Sequence, residues 1–304
     1  MAMFGCVSRG MCALLGPIDG RSIFLGAAIT ASVQTAFARA TSVSTKRWAV
    51  VTAVLWVIAL FPAARSPSRK ACVTQGLSVT QGLPGLTKWV QDGVCDVGAN
   101  KGDWTRSARQ VLPSATSFLM VEANQHHKDH SWDDLLTVPS VHTEIAVLDS
   151  QRHNVTFWKM RRAAHSTGDS MFRETTRSFK GSLAMPITRT AKTLDELVRK
   201  HGVNCNSLLK LDVQGAELKV LKGGMHALQR ALFVLLELPF AVTFNEGAPG
   251  FAKYIEFMAA AGFEPFDLWE IHRFRGKMII QIDILFVRIG SEPHQQAQKE
   301  LSAR

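Results

Sequence analysis

Small and acidic residues cluster between residues 94 and 104, where the sequence is V-C-D-V-G-A-N-K-G-D-W. The segment begins apolar, becomes small and polar at Gly98, and continues into a helix-compatible run. This order predicts a strand, a tight turn and a helix. Glycine lacks a Cβ and tolerates a positive φ, so the backbone of such a turn can approach a nucleoside closely. Asp96 ends the predicted strand, where it suits a ligand that carries a positive charge.

Three further carboxylates come late in apolar runs, namely Glu122, Asp212 and Glu237. The carboxyl ends of parallel strands meet at one edge of a sheet, and ligands bind at that edge. Each acid alone has a simpler interpretation as a surface residue at a strand end, but four at one predicted edge indicate a binding site. Glu122 follows Gly98 by 24 residues, where nucleoside sites place an acid for the ribose hydroxyls.

The elements that must position these acids alternate between strand and helix from residue 92 onward. This alternation predicts an α/β fold with a mostly parallel sheet and helices on both faces. Thr193 is the expected N-cap of one helix. The predicted strands are 93–97, 116–122, 141–147, 154–159, 207–213, 231–238, 263–269 and 278–287, and the predicted helices are 101–112, 125–136, 193–201, 216–223 and 251–261.

The turn does not match the G-x-G-x-x-G fingerprint of NAD-binding proteins, because Asn100 replaces the middle glycine. Its D-x-G-x-N-x-G pattern resembles motif I of the class I S-adenosylmethionine-dependent methyltransferases. Over residues 90–288 the chain resembles the FkbM-type methyltransferase family, with Gln214 where glutamate is expected. That resemblance rests on T-L-D-E-L at 193–197, L-L-K-L-D-V-Q-G-A-E-L-K-V-L-K-G at 208–223, L-L-E-L at 235–238, A-G-F-E-P-F at 261–266 and Q-I-D-I-L-F-V at 281–287.

The resemblance implies a Rossmann-like class I methyltransferase fold, with a mostly parallel seven-stranded sheet, helices on both faces and an antiparallel last strand. It implies S-adenosyl-L-methionine as the cofactor and a hydroxyl on a small molecule or glycan as the acceptor. Asp212 and Glu237 are then the candidate catalytic residues. The implied cofactor-binding residues are Asp96, Gly98, Ala99, Asn100, Gly102, Glu122, Ala146 and Asp149.

Other interpretations stay open at this point. A hydroxyl acceptor benefits from a general base within about 2.6–3.2 Å, and His165 is a third candidate beside the two carboxylates. We expect no obligatory metal. An NAD-dependent oxidoreductase is disfavoured by Asn100, and an inactive Rossmann-like binding module is disfavoured by the retained acids.

Residues 159–192 interrupt the alternation and carry eight basic and two acidic side chains. The simpler interpretation is a solvated insertion. The alternative is a lid that recruits an anionic acceptor through its charge.

The N-terminal part holds most of the chain's net charge of +10, since residues 1–91 contain nine basic residues and one acidic residue. We therefore expect no nucleic-acid partner.

Residues 48–64 carry no charge and predict a single-pass membrane anchor, or the apolar part of a leader cleaved during organelle targeting. The five cysteines indicate no disulfide framework. The predicted organisation is a basic tail or targeting segment (1–47), an anchor or leader helix (48–64), a linker with a lead-in helix (65–91), a methyltransferase domain (92–290) and a C-terminal tail (291–304).

Overall fold

The computed structural model describes residues 73–75, 81–160, 168–176, 184–241 and 243–303. Its strands are β1 (Val73–Gln75), β2 (Val94–Val97), β3 (Phe118–Glu122), β4 (Val141–Ile145), β5 (Asn154–Met160), β6 (Ala184–Thr190), β7 (Leu208–Leu211), β8 (Phe233–Pro239), β9 (Phe263–Phe274) and β10 (Met278–Arg288). Its α-helices are α1 (Asp103–Val111), α2 (Gln125–Ser131), α3 (Asp133–Leu136), α4 (Leu194–His201), α5 (Glu217–Lys222), α6 (Met225–Arg230), α7 (Phe251–Ala260) and α8 (Glu292–Ser302), and a 3₁₀ helix covers Leu83–Leu86.

Seven strands form the main sheet in the order β4-β3-β2-β7-β8-β10-β9, and the short β1 pairs with the free edge of β9. Neighbours from β4 to β8 run parallel, whereas β10 runs antiparallel to both β8 and β9. The expected Rossmann-like α/β fold with an antiparallel last strand is therefore confirmed. Strands β5 and β6 form a separate antiparallel hairpin.

The central strands lie in the interior of the sheet because they are mostly apolar. Every residue of β2, β3 and β7 is buried, as expected for parallel strands that are covered on both faces. Side-chain caps fix the starts of two helices, since Asn124 accepts from the His126 N–H and Thr193 accepts from the Glu196 N–H. The second cap confirms the predicted start of α4. The parallel pairing of β2, β3, β7 and β8 brings the carboxyl ends of these four strands to one edge of the sheet.

Several elements differ from the prediction. The helix expected over 125–136 is interrupted at the buried Trp132, whose indole Nε1 donates to the Asn100 carbonyl at 2.9 Å. Strand β6 and helix α6 were not predicted, and α8 forms within the residues that we assigned to the C-terminal tail. The lead-in helix expected near residues 85–91 is the shorter 3₁₀ helix.

The prediction of no disulfide framework is wrong. Cys95 on β2 and Cys205, just before β7, form a disulfide with an Sγ–Sγ distance of 2.00 Å, and both residues are buried. The two cysteines are separated by 110 residues in sequence. Only the pairing of β2 with β7 brings them together, so the local spacing of the cysteines gave no indication of the bond.

The membrane anchor also needs correction. Within the described residues, no helix combines the length and the apolar character that crossing a bilayer requires. The longest helix there, α8, has 11 residues and extends about 17 Å, whereas the hydrocarbon core is about 30 Å thick. Residues 48–64, on which the prediction rested, and the basic tail before them lie outside the described residues. The prediction of a single-pass anchor is therefore wrong for the part of the chain that the structure describes.

Candidate active site

A cavity of about 250 Å³ lies at the carboxyl ends of β2, β3, β7 and β8. Six of the predicted site residues line it, so the four strand ends meet as expected. The roof segment, residues 168–172, contributes three more lining residues, Asp169, Ser170 and Met171. The six predicted residues are Gly98, Asn100, Glu122, Ala146, Asp212 and Glu237.

The turn after β2 is held by the end of β3. Glu122 Oε2 accepts from the Asn100 N–H at 2.8 Å, and Glu122 Oε1 accepts from the Asn124 N–H at 2.8 Å. Asn100 adopts a left-handed φ of 47° and Gly98 a φ of 82°. A Cβ on Gly98 would lie 1.8 Å from the Asp212 carbonyl oxygen, so only glycine lets the turn approach the end of β7. Burial raises the pKa of Glu122, which is largely withdrawn from solvent.

Asp96 does not line the cavity but lies beneath the turn. Its carboxylate accepts from Lys210 Nζ at 2.9 Å and from Thr105 Oγ1 at 2.7 Å. Lys210 is buried and also lies 3.7 Å from Asp212 Oδ2. Burial alone would lower the pKa of Lys210, but attraction to Asp96 and Asp212 outweighs it and raises that pKa. Asp96 is thus paired with Lys210 and Thr105 beneath the turn, and its assignment to the cofactor's amino group stays a prediction.

The two candidate catalytic carboxylates are joined by one amide. Gln214 Nε2 donates to Asp212 Oδ1 at 3.0 Å and to Glu237 Oε2 at 2.7 Å. Glutamine therefore supplies donors where the resemblance led us to expect a third carboxylate. Burial raises the pKa of Glu237 well above its usual range, and repulsion from Asp212 and Asp283 adds to the increase. A carboxylate with a raised pKa is suited to accept a proton near neutral pH.

The loop that carries Gln214 is fixed from within by Glu217. One of its carboxylate oxygens accepts from the Val213 and Gly215 N–H groups, at 3.0 and 3.1 Å, and the other accepts from the Tyr254 hydroxyl at 2.8 Å. Gln214 has a left-handed φ of 54°. The side chain of Glu217 is fully buried, which raises its pKa to about 7. Glu217 thus holds the backbone geometry that directs the Gln214 amide to both acids.

Three further predicted residues lie outside the cavity. Ala99 is buried in the core, and Gly102 begins α1 with a φ of 83° while packing close to Leu135. Asp149 is buried and forms ion pairs with Lys219 and His153 at 3.1 and 2.9 Å. These residues support the walls of the cavity without lining it.

Sequence reasoning missed the roof segment. Asp169 accepts from Asn124 Nδ2 at 2.9 Å and from the Met160 N–H at 2.7 Å, and burial raises its pKa to about 6. Ser170 Oγ donates to the Gln214 carbonyl at 2.9 Å. The segment belongs to the insertion that matches the family poorly, so no sequence signal identified it. Lys210, in contrast, was visible as a single charge within an apolar strand.

The basic side chains of the insertion are only partly described. Arg173 lies over the Trp158 ring, Arg189 donates to the Ala123 carbonyl at 2.9 Å, and Lys192 pairs with Glu144 at 2.6 Å. Arg161, Arg162, Arg177 and Lys180 lie outside the described residues, as does the candidate base His165.

The chain is similar to several solved methyltransferase structures. It shares 12% identity with an FkbM methyltransferase from Methylobacillus flagellatus KT, at a TM-score of 0.42 over 64% of this chain and 43% of that one. The chain thus spans less than half of that protein. A precorrin-6y C5,15-methyltransferase from Geobacter metallireducens has 14% identity and a TM-score of 0.37, over 73% of this chain and 92% of that one. A putative tRNA (m1A22) methyltransferase from Streptococcus pneumoniae, solved with S-adenosyl-L-methionine, has 11% identity and a TM-score of 0.38, over 72% and 86%.

No curated protein sequence matches the chain. The family model of the methyltransferase FkbM domain, in contrast, matches residues 96–265, which is more than half of the chain. This range contains the motif I turn, the Asp212-Val213-Gln214-Gly215 segment and Glu237. The chain therefore belongs to the FkbM methyltransferase family.

Proposed function

We propose that this chain uses S-adenosyl-L-methionine to methylate a hydroxyl oxygen on a small molecule or glycan. The observation that carries the proposal is the bridge from Asp212 through Gln214 to Glu237, which lines the same cavity as the motif I turn. The family supports methyl transfer in general, and this bridge supports a hydroxyl acceptor in particular.

The cofactor half of the cavity, formed by the ends of β2 and β3, fits a nucleoside. Each Glu122 oxygen accepts one backbone N–H, and a carboxylate oxygen can accept a further hydrogen bond from a ribose hydroxyl. Gly98 places bare backbone beside the cavity, which allows close approach of the methionine portion. Ala146 borders the region expected for the adenine, and Asp169 adds a carboxylate that the sequence did not reveal.

The acceptor half, formed by the ends of β7 and β8, fits a hydroxyl. When bound, the cofactor supplies an electrophilic methyl group on a sulfonium. Transfer forms an oxygen–carbon bond, breaks the sulfur–carbon bond and releases the hydroxyl proton. Glu237 accepts that proton, while Asp212 and the Gln214 amide orient the acceptor oxygen. Positioning of the acceptor oxygen in line with the methyl group supplies most of the remaining rate acceleration, because the transfer is a single in-line displacement.

Calorimetric titration of the full chain with S-adenosylmethionine, S-adenosylhomocysteine and NAD in parallel tests the cofactor. We expect saturable binding of the first two and none of NAD. Binding of NAD alone would support an oxidoreductase, and no binding of any of the three would support an inactive module.

The acceptor class is tested by incubating the full chain with methyl-labelled cofactor and matched pairs of alcohols and amines, including neutral and acidic glycans. Label is expected in the alcohols, and a preference for the acidic glycans would support recruitment of an anionic acceptor. Label confined to amines would contradict the proposed O-methylation.

A further inference from the structure

A second group of ionisable side chains lies on β9 and β10, next to the acceptor half of the cavity. Glu270 and His272 are two residues apart on β9, so their side chains lie on the same face of the sheet. Asp283 on β10 is the cross-strand partner of Glu270 on one side and of Glu237 on the other. The antiparallel pairing therefore brings together three residues that no local sequence motif unites.

The three side chains are close enough together to bind one ligand. His272 Nε2 lies 3.4 Å from Asp283 Oδ2 and 3.8 Å from Glu270 Oε1. One ligand atom from each of the three residues lies within 4.8 Å of the others. Two ligands that each lie about 2.1 Å from one tetrahedral ion are about 3.4 Å apart. Both distances fall within ion-pair range, and the spacing also matches that of ligands that share one ion.

One member of the cluster gives independent evidence for a ligand. Asp283 is 6% exposed, and its Oδ2 accepts no hydrogen bond from the described residues. A buried carboxylate oxygen without such a partner carries a substantial desolvation cost. This oxygen points towards His272, the imidazole of the cluster. Opposite the Asp283–Ile284 step the pairing skips Trp269, so β9 carries the extra residue of a bulge directly before Glu270, and such bulges redirect side chains.

The surrounding charge favours a cation. Asp212 and Glu237 repel Asp283, and Glu270 adds a fourth carboxylate. The buried lysine nearby, Lys210, already forms its closest ion pair with Asp96. A region with this excess of carboxylates is stabilised by a bound divalent ion.

We propose that Glu270, His272 and Asp283 bind one divalent transition-metal cation, such as Mn²⁺ or Zn²⁺. Two carboxylates and one imidazole suit these ions, because carboxylates favour Mn²⁺ and imidazole favours Zn²⁺. The ion lies beside Glu237 and places a Lewis acid at the acceptor end of the cavity. The expectation of no metal did not anticipate this cluster, because its ligands come from two antiparallel strands.

Manganese binding to the EDTA-treated full chain tests the site, with free Mn²⁺ followed by its paramagnetic resonance signal. We expect one saturable site in the wild-type protein. D283N and H272Q each remove one ligand and should weaken binding at least about tenfold. Calorimetric titration with Zn²⁺ should give the same order of affinities. His272 is only partly buried, so H272Q decides the question if D283N does not fold.

D267N is the matched control, because it makes the same chemical change on β9 at an exposed position three residues before Glu270. It should bind Mn²⁺ as the wild-type protein does. No Mn²⁺ or Zn²⁺ binding by the wild-type chain would overturn the proposal, as would unchanged binding in both D283N and H272Q. D283N and H272Q should still bind S-adenosylmethionine, since cofactor binding does not require the ion. Titration of both variants with S-adenosylmethionine therefore distinguishes failure of the metal site from failure of the proposed methyl transfer.

Discussion

The cofactor half and the acceptor half of the cavity are built by different means. In the cofactor half, backbone N–H groups hold Glu122, and Lys210 neutralises Asp96 beneath the turn. In the acceptor half, Asp212 and Glu237 share a single neutral amide. Within the described residues, Glu237 forms no ion pair.

Under the proposed function, this difference separates the structural carboxylates from the reactive ones. A buried acid with a lysine and a hydroxyl beside it has charge-assisted hydrogen bonds to both partners. A buried acid that faces other acids has a raised pKa, which makes it a stronger base once it is ionised. Asp96 and Glu237 both lie towards the carboxyl ends of their strands, but their surroundings give them different roles under the proposed function. Four changes test this contrast.

The largest effect is expected for E237Q, which removes the proton acceptor of the acceptor half. Methyl transfer should slow by about 100- to 10,000-fold, while calorimetry should show unchanged affinity for S-adenosylmethionine. E122Q is the matching change in the cofactor half and should weaken cofactor binding instead. Full activity in E237Q would remove that residue from the mechanism.

The next effect is expected for K210M, which leaves Asp96 buried without its cation. The free energy of unfolding should fall by about 3–5 kcal/mol, as measured by urea denaturation. The double variant D96N/K210M should recover part of this loss, because it removes the unpaired charge as well. Equal stability of the single and double variants would show that the charge of Asp96 is not what Lys210 balances.

Reduction of the Cys95–Cys205 disulfide should have a somewhat smaller effect, because the bond closes a loop whose ends are 110 residues apart. Urea denaturation of the wild-type chain with and without reductant should show a loss of about 2–4 kcal/mol. The variant C95A/C205A should not respond to reductant. A wild-type chain that is equally stable in both conditions would contradict a role for the disulfide in holding β2 against β7.

The smallest effect is expected for E217Q, which imitates the protonated acid. Burial raises the pKa of Glu217 from 4.5 to about 7. The protonated form therefore favours the folded state, and its contribution is complete below pH 4.5 and is lost as the pH rises through 7. Relative to the wild-type chain, E217Q should gain roughly 1–3 kcal/mol between pH 5 and pH 8.

Urea denaturation of both proteins at the two pH values measures this gain. The groups that contact the Glu217 carboxylate are the Tyr254 hydroxyl and two backbone N–H groups, and Glu237 lies nearby. A difference in stability that does not change with pH would show that Glu217 does not titrate in this range.

The parts of the fold that sequence predicted are those that depend on local pattern. Apolar runs marked the buried strands, the G-x-N-x-G turn marked the cofactor half, and Thr193 marked the start of α4. The exposed strand β6 was missed because it alternates weakly and contains Pro186. Helix α6 was missed because it begins only two residues after the end of the helix predicted over 216–223.

The parts of the site that sequence did not predict depend on contacts between distant segments. The pairing of Asp96 with Lys210, 114 residues away, cannot be seen in one strand. The cluster of Glu270, His272 and Asp283 needs the register of β9 and β10. The contribution of Asp169 needs the path of an insertion that has no regular pattern.

The roof segment connects the two halves, because Asp169 accepts from Asn124 on one side and Ser170 donates to the Gln214 carbonyl on the other. Met171, the next residue, also lines the cavity. For directed evolution, Met171 is a residue of the cavity wall that is neither part of the cofactor turn nor one of the paired acids, so changes there test the range of accepted substrates directly. A saturation library at that single residue is therefore the most economical start for redesigning acceptor selectivity.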